Sequence, residues 1–133
     1  MKTILVLLAA LTFAVGQDFE CHCGLFVTIG LSTLEVYRLL PFNTQSCEEL
    51  IECSLICFRE WDIVNSNGGM DYIPPGGSAT VEEQSCFNLN SVHLIPDCDP
   101  TPVYNYYRMC EYPWTWDGGQ MDKDLCCANG LPC

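Results

Sequence analysis

Glu52-Cys53-Ser54-Leu55-Ile56-Cys57-Phe58 decides how this chain folds, because it sets two cysteines four residues apart in a segment of helical character. On a helix that spacing puts both sulfurs on one face, on neighbouring turns and about 5–6 Å apart. They are poorly placed to bond each other, since bridged Cβ atoms lie only about 3.5–4.5 Å apart. Each therefore needs a partner elsewhere. Cys21-His22-Cys23 offers the match, because in an extended segment both sulfurs project from one face, about 6–7 Å apart. The equal separations predict a strand stapled to a helix by two parallel bridges, with Cys21 and Cys23 the favoured partners of Cys53 and Cys57.

The helix is expected over Ser46 to about Asn65. Ser46 with Glu49 matches a capping box, and Glu48, Glu49 and Glu52 sit near the positive end of the dipole. Cys47, Leu50, Ile51, Ser54, Cys57, Phe58 and Trp61 fall on one stripe at helical period. Upstream, Leu25 to Gly30 reads as a strand, being β-branched and aromatic. Ser32-Thr33-Leu34-Glu35 matches a second capping box and predicts a short helix that Pro41 ends by about Leu40. Asn65 to Ala79 is loop chemistry, and beyond it Ser91 to Ile95 and Val103 to Tyr107 read as short strands.

The pairing of Cys-x-x-x-Cys on a helix with Cys-x-Cys on a strand resembles the cysteine-stabilised αβ motif of defensins and scorpion toxins, with the order of the two elements reversed here. That resemblance implies a toxin-like secreted effector of a receptor or channel. Cys23, Cys53, Cys57, Cys86, Cys98 and Cys110 can also be laid against the six-cysteine order of insect odorant-binding proteins, to which the acidic chain is similar in length. That second resemblance implies a hydrophobic-ligand carrier.

All eleven cysteines (Cys21, Cys23, Cys47, Cys53, Cys57, Cys86, Cys98, Cys110, Cys126, Cys127 and Cys133) follow a cysteine-free start. Met1-Lys2, the apolar run Thr3 to Val15 and the small residues Ala14 and Gly16 form a secretory signal peptide over 1–16. The run is shorter than the ~20 residues that span a bilayer, so membrane insertion is not expected. Secretion into an oxidising compartment explains the cysteine density. The organisation expected is a signal peptide (1–16), a helical, cysteine-stapled half (17–64), a Gly/Pro loop (65–79) and an aromatic, disulfide-rich half (80–133), both halves packed as one domain. The fold class is a small disulfide-rich α+β protein with an irregular C-terminal half, whose tail cysteines Cys126, Cys127 and Cys133 close an aromatic lobe. Eleven is odd, so either one thiol stays free or it links two copies in a covalent homodimer.

Five Lys and Arg stand against seventeen Asp and Glu, a net charge of −12. Nucleic acid and anionic membrane are disfavoured as partners, because both need clustered cations. Catalytic motifs are not found: Gly-x-Ser-x-Gly, His-Glu-x-x-His and phosphate loops do not occur, and His22 and His93 are the sole histidines. No enzyme is expected, and no cofactor beyond calcium. Asp117, Asp122 and Asp124 supply loop oxygens of the kind calcium takes. Tyr104, Tyr106, Tyr107, Tyr112, Trp114 and Trp116 form an aromatic concentration that is either core or a recognition surface. Together these features indicate a secreted, extracellular, non-enzymatic acidic protein acting by surface recognition of an extracellular protein, glycan or mineral surface, with a matrix- or mineral-associated role favoured by the acidity.

Expression of the full chain in a secretory host is expected to release a product beginning at Gln17. Intact mass and N-terminal sequencing of the medium check this; a cell-retained product with residues 1–16 attached would contradict it.

Overall fold

Phe19–Ile29 forms the central strand β1, and everything else is arranged around it. The computed structural model describes residues 19–133, so the signal peptide expected over 1–16 lies outside the described residues. Alternation along β1 sends Cys21, Cys23, Leu25 and Val27 inward, all fully buried. β2 (Ser32–Arg38) returns antiparallel beside it through the two-residue turn Gly30-Leu31. Gly30 takes φ 63° and Leu31 does not, the arrangement of a type II′ hairpin turn, which needs glycine at its first central position.

The helix expected over Ser32–Leu40 is therefore a strand. Its capping-box residues are used otherwise: Ser32 pairs with Ile29 and the Glu35 carboxylate accepts two hydrogen bonds from Arg38, at 2.6 and 2.8 Å. Pairing with β1 outweighs a local helix signal of about 1 kcal/mol. Pro41 interrupts the strand, and β3 (Phe42–Thr44) resumes along the same edge of β1.

On its other edge β1 pairs with β5 (Tyr104–Met109), which pairs with β6 (Thr115–Gln120), all antiparallel. One sheet thus runs through both halves of the chain, in the order β2-β1-β5-β6. A second, three-stranded sheet contains β4 (Cys98–Thr101), β7 (Leu125–Ala128) and β8 (Leu131–Pro132).

Helix α1 (Leu50–Ser66) lies across the inner face of the main sheet and buries Cys53, Cys57, Trp61 and Val64. It starts four residues later than its sequence signal. Cys47 is bonded to Cys110, which holds 45–48 in a turn where Ser46 Oγ accepts from Glu48 N–H and Glu49 Oε1 from Gln45 N–H. The buried stripe also differs from the expected one, because Leu50, Ile51 and Phe58 are exposed. The bridges to β1 rotate the helix so that Cys53 and Cys57 face the sheet.

Helix α2 (Val81–His93) has no counterpart in the sequence reading, which puts a strand at Ser91–Ile95. Thr80 and Glu83 form its capping box: Glu83 N–H donates to Thr80 Oγ1 at 3.0 Å and Thr80 N–H to Glu83 Oε1 at 2.8 Å. The β-branched run is carried to the helix end, where Leu94 turns left-handed at φ 61°.

Five bridges tie these elements: Cys21–Cys53, Cys23–Cys57, Cys47–Cys110, Cys86–Cys127 and Cys126–Cys133. The first two are the parallel staple that the matched spacings predict. The tail does not close an aromatic lobe, because Cys127 ties it to α2 while the aromatic strands β5 and β6 belong to the main sheet. Trp61, Leu25, Met70, Leu89, Met109, Met121 and Leu125 fill the interior.

Replacing Cys21 and Cys53 together by alanine is expected to lower stability by about 3–4 kcal/mol, on the chain-entropy value for a loop of this length. Guanidinium unfolding reads the loss, and an unchanged midpoint would remove the staple from its central place.

Candidate functional site

The outward face of the main sheet is where chemistry gathers. Residues that alternate away from the core are His22, Gly24, Phe26 and Thr28 on β1, with Tyr104, Tyr106 and Arg108 opposite them on β5. Arg38 of β2 stands beside Gly24, and Trp116 of β6 stands beside Tyr106. One row across the sheet therefore reads Arg38, Gly24, Tyr106, Trp116.

Trp114, on the β5–β6 connection, folds back over this row. A Cβ on Gly24 would come 3.1 Å from its ring carbons, so glycine is the residue that lets the indole lie flat on the strand. The ring meets Phe26 edge-on at 5.0 Å between centroids, and Phe26 meets Tyr106 at 4.5 Å. Arg38 and Arg108 place their guanidinium carbons 5.0 and 5.8 Å from the Trp114 centroid. Such contacts contribute about 0.5–2 kcal/mol each, depending on desolvation. Each arginine is also held by a carboxylate, Arg38 by Glu35 and Arg108 by Glu111, both at 2.6 Å.

Beyond this covered patch the face opens. Trp116 is 51% exposed. Its indole N–H donates to Gly119 O at 2.8 Å, which fixes the ring edge-on to Tyr104 at 5.8 Å. Thr28, Tyr104, Tyr106 and Trp116 line an open cleft of about 220 Å3 without a charged group.

Of the six aromatic residues singled out from sequence, Tyr104, Tyr106, Trp114 and Trp116 are on this face. Tyr107 alternates to the opposite side and packs against the core, and Tyr112 is exposed in the turn after β5. Gly24, Phe26, Arg38 and Arg108 complete the face and carry no local signal, because they lie on three strands whose pairing the sequence does not show.

The three aspartates do not come together. Among the described residues, no three carboxylate oxygens lie within 4.8 Å of one another. Asp117 is half-buried in β6, where its Oδ1 accepts from Gly119 N–H at 2.7 Å, and burial raises its carboxyl above the ordinary value. Asp122 reaches toward Gly69, and Asp124 is exposed. A strand end and a tight loop separate them.

Cys21, Cys53 and Cys57 do bring three sulfurs together, with Cys21 Sγ 3.7 Å from Cys57 Sγ, but bridged sulfur is not a thiolate ligand. The unpaired cysteine is Cys98, 8% exposed at the start of β4. Burial, and then the neighbouring Asp99 carboxylate, push its thiol pKa up, which suppresses the reactive thiolate. A covalent homodimer through the odd cysteine would have to use this buried thiol.

The fold and this face define a disulfide-stapled α+β scaffold that presents an aromatic–arginine surface. No family model matches the chain, and no solved structure matches it. Among curated proteins it is 27% identical over 123 residues to a tRNA U34 carboxymethyltransferase of Desulfotalea psychrophila, across 86% of this chain. The chain spans 38% of the length of that protein. A likeness so distant and partial assigns no family and neither adds nor removes an enzymatic role.

His22 sits under the edge of this face, 6.4 Å from Trp114 and with Glu20 3.4 Å from its Nε2. Burial lowers its pKa below the ordinary 6.5, and Arg38 and Arg108 add to the lowering against Glu20 and Glu111. The folded chain then holds fewer protons than the unfolded chain just below pH 6.5. Stability present above that pH is lost as pH falls from 6.5 toward the folded pKa. His22→Gln is expected to flatten the fall in melting temperature between about pH 7.5 and 5.5, a window set by this pKa. Equal slopes in wild type and variant would contradict it.

Proposed function

We propose that this is a secreted, non-enzymatic recognition protein that binds an extracellular protein through the outward face of its main sheet. The observation that carries the reading is the composition of that face. Trp114, Trp116, Tyr104, Tyr106, Arg38 and Arg108 are held together in a chain with five cations in all. Trp, Tyr and Arg are the residues that dominate binding energy at protein interfaces: the rings bury large area at low entropic cost, and the guanidinium stacks and donates a fork of hydrogen bonds.

The scaffold supports this use. Three disulfides, Cys21–Cys53, Cys23–Cys57 and Cys47–Cys110, anchor β1 and the end of β5 beneath the face, which lowers the ordering cost of binding. No helix among the described residues is long and apolar enough to cross a membrane. A net charge of −12 favours a basic partner, met in a fast, salt-dependent encounter. The hydrophobic-carrier alternative would rest on an open cleft of about 460 Å3 beside Leu39, Leu40, Pro41 and Phe42, since methionines and Trp61 fill the interior. The matrix or mineral role would have to rest on dispersed acids, because Asp117, Asp122 and Asp124 stay apart.

Biotinylated full chain, purified from a secretory host, can be screened against an array of extracellular domains. At least one binder is expected whose affinity falls about thirtyfold or more with Trp116→Ala or Tyr106→Ala, the size of an interface hot spot. Leu131→Ala, exposed on the second sheet, should leave it unchanged. Binding that survives both face variants would overturn the assignment of the surface, and an array with no binder would overturn the protein partner.

A further inference from the structure

A second site lies on the other side of the main sheet. Phe58, Trp61 and Asn65, on successive turns of α1, face Asn105 of β5 and Gly119 of β6 across a cavity of about 200 Å3. Asn105 is 5% exposed and Trp61 is 1% exposed. Yet Trp61 Nε1, Asn65 Oδ1 and Asn105 Oδ1 are buried without any intramolecular hydrogen-bond partner. Each such atom costs on the order of 1–3 kcal/mol while it stays unpaired. All three belong to residues that line one cavity, two of them nine-tenths buried, and folding alone does not reward such an accumulation.

Glycine keeps this space clear. A Cβ on Gly119 would stand 3.1 Å from Asn105 Nδ2 and 3.1 Å from Asp117 Oδ1, closing the floor beside Asn105. Phe58 forms the rim, its ring more than half exposed on a helix face where an apolar residue gains nothing from the core.

We propose that this cavity binds one neutral pyranose ring. The donor and acceptor pattern decides the chemistry. Trp61 Nε1–H needs an acceptor, whereas the two Asn oxygens need donors, and a hydroxyl group is both. A metal ion or an ammonium group leaves the indole N–H unpaired. A phosphate or carboxylate meets two carbonyl oxygens, with the Asp62 carboxylate also lining the cavity. The size agrees, since 200 Å3 is below the ~300–1,000 Å3 of drug-sized sites and suits a single ring. Phe58 supplies the flat apolar surface on which the carbon face of a sugar stacks. The three atoms are shut off from solvent, so binding includes a shift of the side chains that line the cavity.

The test is a titration of the 15N-labelled full chain, following the three indole N–H signals assigned through single Trp→Phe variants. The probes are glucose, galactose, mannose, N-acetylglucosamine and myo-inositol, each to about 50 mM, well above the millimolar affinity of a weak single-ring site. At least one pyranose is expected to shift the Trp61 signal saturably, and myo-inositol less. Phe58→Ala is expected to weaken that sugar about tenfold through loss of the stacking surface. Gly119→Ala is expected to abolish the shift without changing the fold. Because Phe58 is exposed, its variant reports even if changes at Asn105 or Trp61 disturb folding. Calcium chloride, ethylammonium chloride and sodium phosphate should leave the Trp61 signal in place. The proposal is overturned if no pyranose moves it, if calcium or ethylammonium does, or if sugars shift only the Trp114 and Trp116 signals. That last result puts sugar on the sheet face and leaves this cavity to solvent, whereas loss of partner binding in Trp116→Ala with Trp61 still responding separates the two sites.

Discussion

The paired bridges Cys21–Cys53 and Cys23–Cys57 are the constraint on which the other packing depends. Two sulfurs two residues apart on β1 meet two sulfurs four residues apart on α1, and two points of attachment fix both distance and rotation. One bridge would let the helix pivot. With two, the stripe Cys53, Cys57, Trp61 and Val64 must face the sheet, which leaves Ile51, Leu55 and Phe58 outside although they are apolar. The fully buried bridges also take the place of aliphatic side chains, so the central strand keeps its inward face filled with sulfur, leucine and valine.

That clamp divides the main sheet into two working surfaces. The inner face, roofed by α1, holds the core and, toward the β6 edge, the cavity lined by Trp61, Asn65 and Asn105. Among the described residues no helix covers the outer face. Its substitute is a single indole, Trp114, which buries Gly24 and Phe26 and is held between two arginines that are themselves held by Glu35 and Glu111. A protein with so few cations uses two of them on one tryptophan. The resulting patch is partly desolvated, and the exposed Trp116 and part-buried Tyr106 lie at its open side.

Much of the fold was legible in the chain, and the failures have physical causes. The staple could be read because both spacings convert directly into distances along regular elements. The strand at Leu25–Gly30 and the position of α1 followed from local composition. Ser32–Arg38 misled, because a capping box is a signal of about 1 kcal/mol and a hairpin through Gly30 commits seven residues to a neighbour. The capping box at Thr80–Glu83 is of the same kind and is used, since α2 meets β2 through side chains, Asn88 and His93 reaching the carbonyls of Val36 and Glu35, and is not paired to it as a strand. The same four-residue pattern therefore means helix in one place and nothing in another, and only the neighbours decide.

The same division applies to the candidate sites. The aromatic concentration between Tyr104 and Trp116 was visible, but its split into outward Tyr104 and Tyr106 and inward Tyr107 needed the register of β5 on β1. Composition and spacing established a disulfide-bonded α+β chain, acidic, with a helix bridged to a strand, because those properties depend on residue identity and on separations of a few positions. Which cysteine stays unpaired, where Trp114 lies, why Gly24 must be glycine and which polar atoms meet around the Trp61 cavity were decided by tertiary structure. These depend on contacts between segments far apart in the chain, about ninety residues for Cys21 and Met109, and a chain read in order carries no distance between them.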